Sequence, residues 1–367
     1  MLTETFIGTA HPQFPDIGKI AVLRANRIGD FVVTLPALAA LRAAYPRAKI
    51  VLLGRRWHAD FLTGRPGPID RVVPIPPYHG VGEPEEHQDD PALLDPFFAS
   101  MAAERFDLAL QIHGGGGNSN PFIGRLGARH TAGLRADGAP PLDRWLPYVR
   151  DQVEIARYLE VVGLVGAAPV GLQPQLTVTA ADRAEALALL PSDDRPLVAI
   201  HPGATDPRRH WSATHFAAVG DQLVARGARI ILVGDAGERA LTATVAGLMA
   251  APPPDLAGRL HLGGLLGLLA RCQLAIGNDS GPLHLAAAVG TATVGIYWGR
   301  NLLHYGPLGR ARHRPLASWR GNCPICGADA DAGCDHHVSW VDDVPVSAVV
   351  DAALSLLAQG RERAEYP

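Results

Sequence analysis

The sequence predicts an α/β protein in which two domains each contain a doubly wound parallel sheet. The chain has 367 residues, more than one compact core usually organises, since domains hold roughly 100 to 200 residues. Short apolar runs alternate with amphipathic stretches long enough to cross over a sheet as helices. This alternation begins at Lys19 and begins again at Leu197, and the repetition predicts two similar halves.

The first series starts with the apolar run KIAVLRA, the turn NRIGD, the amphipathic stretch FVVTLPALAALRAAYP and the apolar run KIVLLG. This order is typical of a βαβ unit. RVVPI and FDLALQI follow as further strands of the same parallel sheet. The segment from Val81 to Asp95 is acidic and contains proline, so we predict a solvated loop without a chemical role.

The second series follows the predicted helix AADRAEALALL and its polar turn. It contains the strand LVAI, a helix from Ser212 to Arg226, the strand ARIILVG, a helix from Glu238 to Met249, a Leu-rich helix, and the strands QLAIGN and ATVGIYW. We predict an N-terminal domain at residues 1–175 and a C-terminal domain at residues 176–345. The amphipathic segment at 346–367 is expected to form a helix that packs back on the first domain.

The composition excludes several classes of function. The formal net charge is −3, and no run of basic residues alternates with aromatic ones, so the chain lacks the electrostatic pattern of a nucleic-acid groove. No secretion signal opens the sequence, and no run of about eighteen apolar residues indicates a membrane span. We therefore expect a cytoplasmic protein with at most peripheral membrane contact.

Five loops directly follow predicted strands: NRIGD, HGGGGNSN, HPGATDPRRHW, VGDAGE and GNDSGPLH. In open parallel sheets, ligands bind beyond the carboxyl ends of the strands. Two such sheets facing each other would bring the loops to a central cleft, where a ligand is expected. HGGGGNSN lacks the spacing of a phosphate-binding loop and carries no assignment.

The loop GNDSGPLH leads into the helix sequence LAAA. Ser280 can cap this helix with its hydroxyl, and the first backbone N–H groups, beginning at Gly281, point toward the loop. These groups and the helix dipole favour a phosphate, to which His284 could add a donor. An ordinary helix cap explains the same residues equally well.

The loop HPGATDPRRHW is dense in hydrogen-bond donors and suits a diphosphate. Arg209 would neutralise charge on a departing phosphate, and Thr205 could hydrogen-bond one of its oxygens. The alternative is a solvated polar loop in which Trp211 is a packing anchor.

Asp30, in NRIGD, is a candidate general base because a helix N-terminus favours its ionised form. A plain N-cap is the alternative interpretation. Glu238, after VGDAG, could bind the hydroxyls of a ribose, or it could merely begin a helix.

A cysteine cluster predicts a metal site near the C-terminus. Cys323, Cys326 and Cys334 are followed by His336 and His337, and three thiolates with one imidazole can complete a tetrahedral site. We read it as a structural zinc site, with iron as a second possibility and ordinary free cysteines as the alternative.

Taken together, KIAVLRANRIGDFVVTLPALAALRAAYP, VAIHPGATDPRRHW and LAIGNDSGPLHLAAAVGTATVGIYW resemble glycosyltransferase family 9, the ADP-heptose heptosyltransferases of bacterial lipopolysaccharide assembly. The resemblance extends from Lys19 to Gly309 and is weak between Val81 and Gly171. It implies a GT-B fold, an inverting single displacement and no cofactor for catalysis.

The resemblance also implies roles for individual residues. Asp30 would be the general base, and Arg209 stands where relatives often carry a lysine. Other residues fall on the donor-binding motifs. Asp279 would lie near the sugar, Glu238 near the ribose, and the diphosphate would be bound by Ser280, Gly281 and His284. Thr205 lies in a loop whose length differs from that of the family.

The implied function is transfer of a sugar, expected to be heptose, from a nucleotide diphosphate such as ADP-heptose to a hydroxyl of a glycan, a glycolipid or another acceptor. A sugar-nucleotide epimerase of similar architecture is one alternative. A catalytically inactive nucleotide-sugar-binding protein is the other.

Overall fold

A computed structural model describes residues 11–329 and 334–365 of the chain. The chain divides into two compact units, Met1–Thr177 and Val178–Pro367. The sequence predicts a boundary between residues 175 and 176. Each unit is an α/β fold built on a parallel sheet, as the alternating apolar runs predict.

The first unit contains a parallel sheet of six strands in the order β3-β2-β1-β4-β5-β6. The strands are β1 (Lys19–Leu23), β2 (Lys49–Gly54), β3 (Arg71–Pro74), β4 (Leu108–Gln111), β5 (His130–Arg135) and β6 (Arg144–Pro147). The helices are α1 (Ile28–Val32), α2 (Leu35–Ala44), α3 (Arg56–Leu62), α4 (Pro91–Ala103), α5 (Ser119–Gly124) and α6 (Glu154–Gly163).

Three features of the first unit differ from the sequence prediction or add to it. Helix α4 begins inside the segment predicted as a loop, because Pro91 suits a first helical position and the Asp90 carboxylate caps the Ala92 backbone N–H at 2.9 Å. Strands β5 and β6 were not foreseen. The edge strand β6 has half-exposed residues alternating with exposed ones, so its sequence carries no long apolar run.

The second unit contains a parallel sheet of five strands in the order β11-β10-β9-β7-β8. The strands are β7 (Leu197–His201), β8 (Arg229–Leu232), β9 (Leu274–Asn278), β10 (Ala292–Trp298) and β11 (His313–Ser318). The helices are α7 (Ala180–Leu189), α8 (Ala213–Val224), α9 (Arg239–Leu248), α10 (Leu262–Leu269), α11 (Gly281–Ala288), α12 (Gly299–Tyr305) and α13 (Val346–Glu365), with single 3₁₀ turns at Pro207–Arg209 and Ala236–Glu238.

The C-terminal helix α13 packs within the second unit. Its apolar residues Val349, Val350, Ala353 and Leu356 are buried in the core that contains Trp211. The helix lies against α8 and against strands β9, β10 and β11. The apolar stripe of the helix is thus buried on the sheet of its own unit, and the expectation that it packs back on the first domain stays a prediction.

Strand order decides which loops become neighbours in the second unit. Strand β7 lies between β8 and β9, so the loops that follow these three strands leave the same edge of the sheet side by side. None of the helices in the described ranges is both long and apolar enough to cross a membrane.

Candidate functional site

The loops after β7 and β9 are joined by Asn278, the last residue of β9. Its fully buried amide accepts the Trp211 backbone N–H at 3.2 Å and donates to the Pro202 carbonyl at 2.7 Å. Trp211 is itself buried, and its indole N–H donates to the Val344 carbonyl at 3.0 Å. The HPGATDPRRHW loop is thus anchored at both ends, and Trp211 has the packing role that the alternative interpretation of this loop gave it.

Asp279 is the centre of a polar cluster at the start of α11. Its carboxylate is 3% exposed and accepts from Arg209 Nη1 at 3.1 Å and from Asn301 Nδ2 at 2.7 Å. The second oxygen lies 3.2 Å from His284 Nε2. Arg209 Nη1 also donates to the Asp279 carbonyl at 3.1 Å. Arg209 and Asn301, which are 70 and 22 residues away in the sequence, therefore join His284 around one buried carboxylate.

The electrostatics of this cluster keep Asp279 ionised. Burial by itself raises the pKa of the carboxyl group, but the hydrogen bond from His284, the charges of His284 and Arg209, and the hydrogen bond from Asn301 together hold the pKa below its ordinary value. A buried carboxylate of this kind is stable because it has charged and polar partners.

Ser280 is the N-cap of α11, but its side chain makes no cap hydrogen bond. The expectation that its hydroxyl caps the helix is therefore wrong: the hydroxyl lies 2.9 Å from His201 Nδ1 instead. The first turn of α11 contains Gly281, and its backbone N–H groups have no partner within the helix. This N-terminus keeps its capacity to bind an anion.

Glu238 lies against the other side of the same histidine. Its Oε2 is 3.0 Å from His201 Nε2 and accepts the Asp235 backbone N–H at 2.8 Å. Burial raises the pKa of Glu238, yet the hydrogen bond and charge of His201 and the Asp235 backbone hold it below the ordinary value. A Cβ atom on Gly203 would lie 1.7 Å from the carboxylate, and one on Gly234 would lie 2.9 Å from it, so both glycines make room for Glu238.

Thr205, the remaining residue predicted to bind the donor, is exposed in the loop after β7. The same loop is closed by His210, whose Nε2 lies 2.6 Å from the Ala204 carbonyl oxygen. The structure places Thr205 in the same loop as Arg209, but not in the buried cluster around Asp279.

Asp30 belongs to the first unit, where it is the third residue of α1 rather than its N-cap. One carboxylate oxygen accepts the Arg27 backbone N–H at 3.3 Å, and the other lies 3.3 Å from Arg24 Nη2. The Arg24 guanidinium is buried and also donates to the Ile112 carbonyl at 2.8 Å. The Asp30 side chain is 20% exposed and so remains accessible to a substrate.

The predicted metal ligands are brought together. The ligand atoms of Cys323, Cys326, Cys334 and His336 all lie within 4.8 Å of one another. A tight turn with Gly327 at φ +73° lets its N–H bond the Cys323 carbonyl at 2.9 Å. Hydrogen bonds from the backbone of Cys326 and then Ile325, opposed by desolvation, lower the pKa of the Cys323 thiol to about 6. This set of four side chains could hold a metal ion.

Three residues of these sites received no individual role from the sequence. His201 is the last residue of a buried strand, and its position at a strand end was the signal that could have identified it. Arg24 follows β1 in the same way. Asn301 lies in α12 and carried no sequence signal, because only folding brings it to Asp279.

Comparison with known proteins gives a consistent result. The family model described as glycosyltransferase family 9 (heptosyltransferase) matches residues 97–321. Lipopolysaccharide heptosyltransferase 2 of Salmonella typhimurium is 26% identical over 93% of this chain and 99% of its own length. The family match includes much of the segment between Val81 and Gly171, where the resemblance in sequence is weak. It leaves out the turn that carries Asp30.

Solved structures share the fold. A glycosyl transferase family 9 protein from Veillonella parvula has a TM-score of 0.79 at 20% identity, covering 95% of this chain and 100% of its own. The ADP-heptose lipopolysaccharide heptosyltransferase II of Escherichia coli has a TM-score of 0.71 at 20% identity, covering 94% and 99%. The iron-containing heptosyltransferase TibC of Escherichia coli has a TM-score of 0.55 at 13% identity, covering 95% and 78%.

Proposed function

Because the chain belongs to glycosyltransferase family 9, the heptosyltransferases, we propose that it transfers heptose from ADP-heptose to a hydroxyl group of a lipopolysaccharide core acceptor. Family membership makes the chain a glycosyltransferase of GT-B fold. The nucleotide, the sugar and the acceptor are inferred from the names of the relatives.

The observation that carries the donor assignment is the meeting of three groups at one edge of the second sheet. These are the Asp279–Arg209 pair, the start of α11 with Ser280 and Gly281, and the Glu238 carboxylate. Helix N-termini and arginine bind phosphates, and a carboxylate accepts from the two hydroxyls of a ribose. We therefore assign the diphosphate to α11 and Arg209, and the ribose to Glu238.

Arg209 is suited to a leaving diphosphate. In the described part of the chain its hydrogen bonds to Asp279 are made through Nη1, which leaves the other edge of the guanidinium for phosphate oxygens. The Asp279 carboxylate then holds the side chains of Arg209 and His284 in position. Thr205, exposed in the same loop, is assigned to the phosphate or the sugar by the resemblance alone.

The reaction is a single displacement. Asp30 takes the proton of the acceptor hydroxyl while that oxygen attacks the anomeric carbon, and the bond from this carbon to the diphosphate oxygen breaks. ADP leaves with the bonding electron pair, and Arg209 and the N–H groups of α11 stabilise its charge. The anomeric configuration inverts, because no covalent intermediate forms.

Calorimetric titration with ADP, GDP, UDP and ADP-heptose tests the donor assignment. We expect selective binding of the adenine ligands, weakened by Arg209→Ala and retained by Asp30→Ala. Equal affinity for all nucleotides would contradict the donor assignment. Release of ADP only when acceptor is present separates a transferase from an epimerase, and donor binding without any turnover would indicate the inactive alternative.

We further propose that the Cys323, Cys326, Cys334 and His336 cluster holds a structural zinc ion. The residues fit this group, because three thiolates and an imidazole form a closed tetrahedral set, and His336 Nδ1 is buried without a hydrogen-bond partner in the described structure. His337 is exposed and is not part of the set. The metal would tie this segment to the second unit.

Elemental analysis of the purified protein tests the metal proposal. We expect about one zinc per chain, and loss of the metal in Cys326→Ser. Iron in place of zinc would match the iron-containing relative TibC and would replace our assignment. Absence of both metals from the purified protein would contradict the metal proposal and leave the cysteines as ordinary free thiols.

We also propose that the protein acts in the cytoplasm. Its four cysteines are free, which suits a reducing compartment. Fractionation of the producing cells tests this, and recovery from an oxidising compartment would contradict it.

A further inference from the structure

His201 links the two groups that the proposed function assigns to the donor. Its Nδ1 lies 2.9 Å from the Ser280 hydroxyl, and its Nε2 lies 3.0 Å from the Glu238 carboxylate. The imidazole is 7% exposed, so both ring nitrogens depend on these partners rather than on bulk water. All three residues belong to the second unit.

The chemistry of the partners decides where the hydrogens lie. The pKa of Glu238 is lowered, so its carboxylate is ionised and only accepts. In a neutral imidazole Nε2 therefore carries the hydrogen, and Nδ1 is an acceptor. The Ser280 hydroxyl must then donate to Nδ1. Because a hydroxyl has a single hydrogen, Ser280 has none left for a phosphate.

An anion at the start of α11 would require the Ser280 hydroxyl to donate its hydrogen to the anion instead of to His201. A phosphate oxygen accepts only, so it competes with His201 Nδ1 for the Ser280 hydrogen. If Ser280 turned to the phosphate and the ring stayed neutral, Nδ1 would be buried without a donor, which is costly. A proton on Nδ1 removes the conflict, because Nδ1–H then donates to Ser280 Oγ while the hydroxyl hydrogen goes to the phosphate.

The charges around the ring favour this proton once the ligand is bound. Glu238 faces Nε2, and the phosphate would add a second negative charge on the Nδ1 side. Of the titratable and charged groups in the neighbouring loops, Glu238 contacts the ring; the others are Asp235 after β8, His210 and Arg209 after β7, and Asp279 and His284 after β9. The cation Arg209 is paired with Asp279, so its charge is already balanced.

We propose that His201 takes up a proton from solvent when the donor diphosphate binds, and that this proton releases the Ser280 hydroxyl to hydrogen-bond the phosphate. The inference rests on the proposed function, which assigns the diphosphate to α11. His201 is a positioning residue: it sets the hydrogen-bonding role of Ser280 and holds Glu238 in place for the ribose.

Calorimetric titration with ADP at about pH 8, where an ordinary histidine is neutral, measures the proton directly. Repeating the titration in buffers of different ionisation enthalpy gives the number of protons taken up per ADP bound. We expect a value approaching one for the parent protein. The affinity should fall by up to about tenfold per pH unit as the pH rises through this range, because one proton is linked to binding.

His201→Asn is the informative variant, because an amide nitrogen near the position of Nδ1 can donate to Ser280 without titrating. It should bind ADP within several-fold of the parent, with no proton uptake and little dependence on pH. His201→Ala, which lacks any donor, should weaken binding by about tenfold or more. His215→Asn, a histidine on α8 beside Asp342, is the matched control and should keep the uptake.

The outcomes separate the two proposals. ADP binding by the parent without proton uptake would overturn the role of His201 and leave the donor assignment intact. Uptake that persists in His201→Asn and disappears in His284→Asn would move the proton to His284 and also overturn it. Failure of the parent to bind any adenine nucleotide would instead contradict the proposed function. If His201→Asn fails to fold, absence of uptake in the parent still overturns the role of His201, and uptake retained in His284→Asn still supports it.

Discussion

Replacing Asp279 by asparagine keeps the shape of the side chain and removes its charge. In the parent, the carboxylate is 3% exposed and receives hydrogen bonds from Arg209 and Asn301, while His284 contacts its other oxygen. An asparagine has only one acceptor oxygen, which can keep the bonds from Arg209 and Asn301. Its NH₂ group then faces His284 Nε2, which can accept from it only as a neutral imidazole with its hydrogen on Nδ1. The variant therefore loses the charge and the hydrogen bond that the carboxylate accepts from His284.

The size of the effect follows from the number of contacts. Hydrogen bonds to a charged group contribute about 1.5–3 kcal/mol, against about 0.5–1.5 kcal/mol for neutral ones, so three contacts lose about 1 kcal/mol each. The smaller cost of burying a neutral amide offsets part of this loss. We expect the free energy of unfolding of the second unit to fall by about 2 kcal/mol. Because Arg209 loses its anchor, ADP affinity should fall by about tenfold.

The pH dependence has a definite sign. The pKa of Asp279 is lower in the folded state, so its stabilising contribution is fully present above the unfolded value of about 3.9 and is lost as the pH falls toward the folded value. The contribution of the ionised Asp279 carboxylate to the difference in stability between the parent and Asp279→Asn should thus be fully present at about pH 5. It should shrink below about pH 4.

Urea titration at several pH values, followed by tryptophan fluorescence, measures this difference. Asp193→Asn is the matched control, because Asp193 forms an exposed ion pair with Arg195 in the same unit, and surface pairs contribute little. An Asp279→Asn protein that unfolds at the same urea concentration as the parent at pH 7, and binds ADP equally well, would refute the reasoning.

Three further predictions concern single side chains. Asp30→Asn should lower kcat by about 10²–10⁴-fold with unchanged ADP affinity, and full activity in a transfer assay would exclude Asp30 as the base. In calorimetry, Arg209→Ala should lose about 1–3 kcal/mol of the free energy of ADP binding, and Arg209→Lys should retain part of it. Equal binding of ADP by the parent and both variants would remove Arg209 from the donor site. Trp211→Phe should lower the thermal midpoint through loss of about 1–3 kcal/mol, because the Val344 carbonyl stays buried without its indole donor; an unchanged midpoint would show that water replaces the bond.

Sequence reasoning identified the site residues by type and by their positions after strands, but not their partners. Arg209, Ser280 and Glu238 were expected near a donor because their loops follow parallel strands, and their loops do leave one edge of the second sheet. The prediction that the Ser280 hydroxyl caps α11 was wrong, because a hydroxyl can bond either the helix backbone or another nearby group. His201, 79 residues away in sequence, competes for the hydroxyl only after β7 and β9 pair.

The sequence by itself determined the α/β class, the two series of strands and helices, and the chemical kinds of side chain at the strand ends. These depend on the spacing of apolar residues along the chain, which is a local property. The tertiary structure alone decided that Asn301 reaches Asp279, that His201 lies between Ser280 and Glu238, and that α13 packs in its own unit. Strand order and the burial of apolar faces bring distant residues together, and no local pattern encodes that choice.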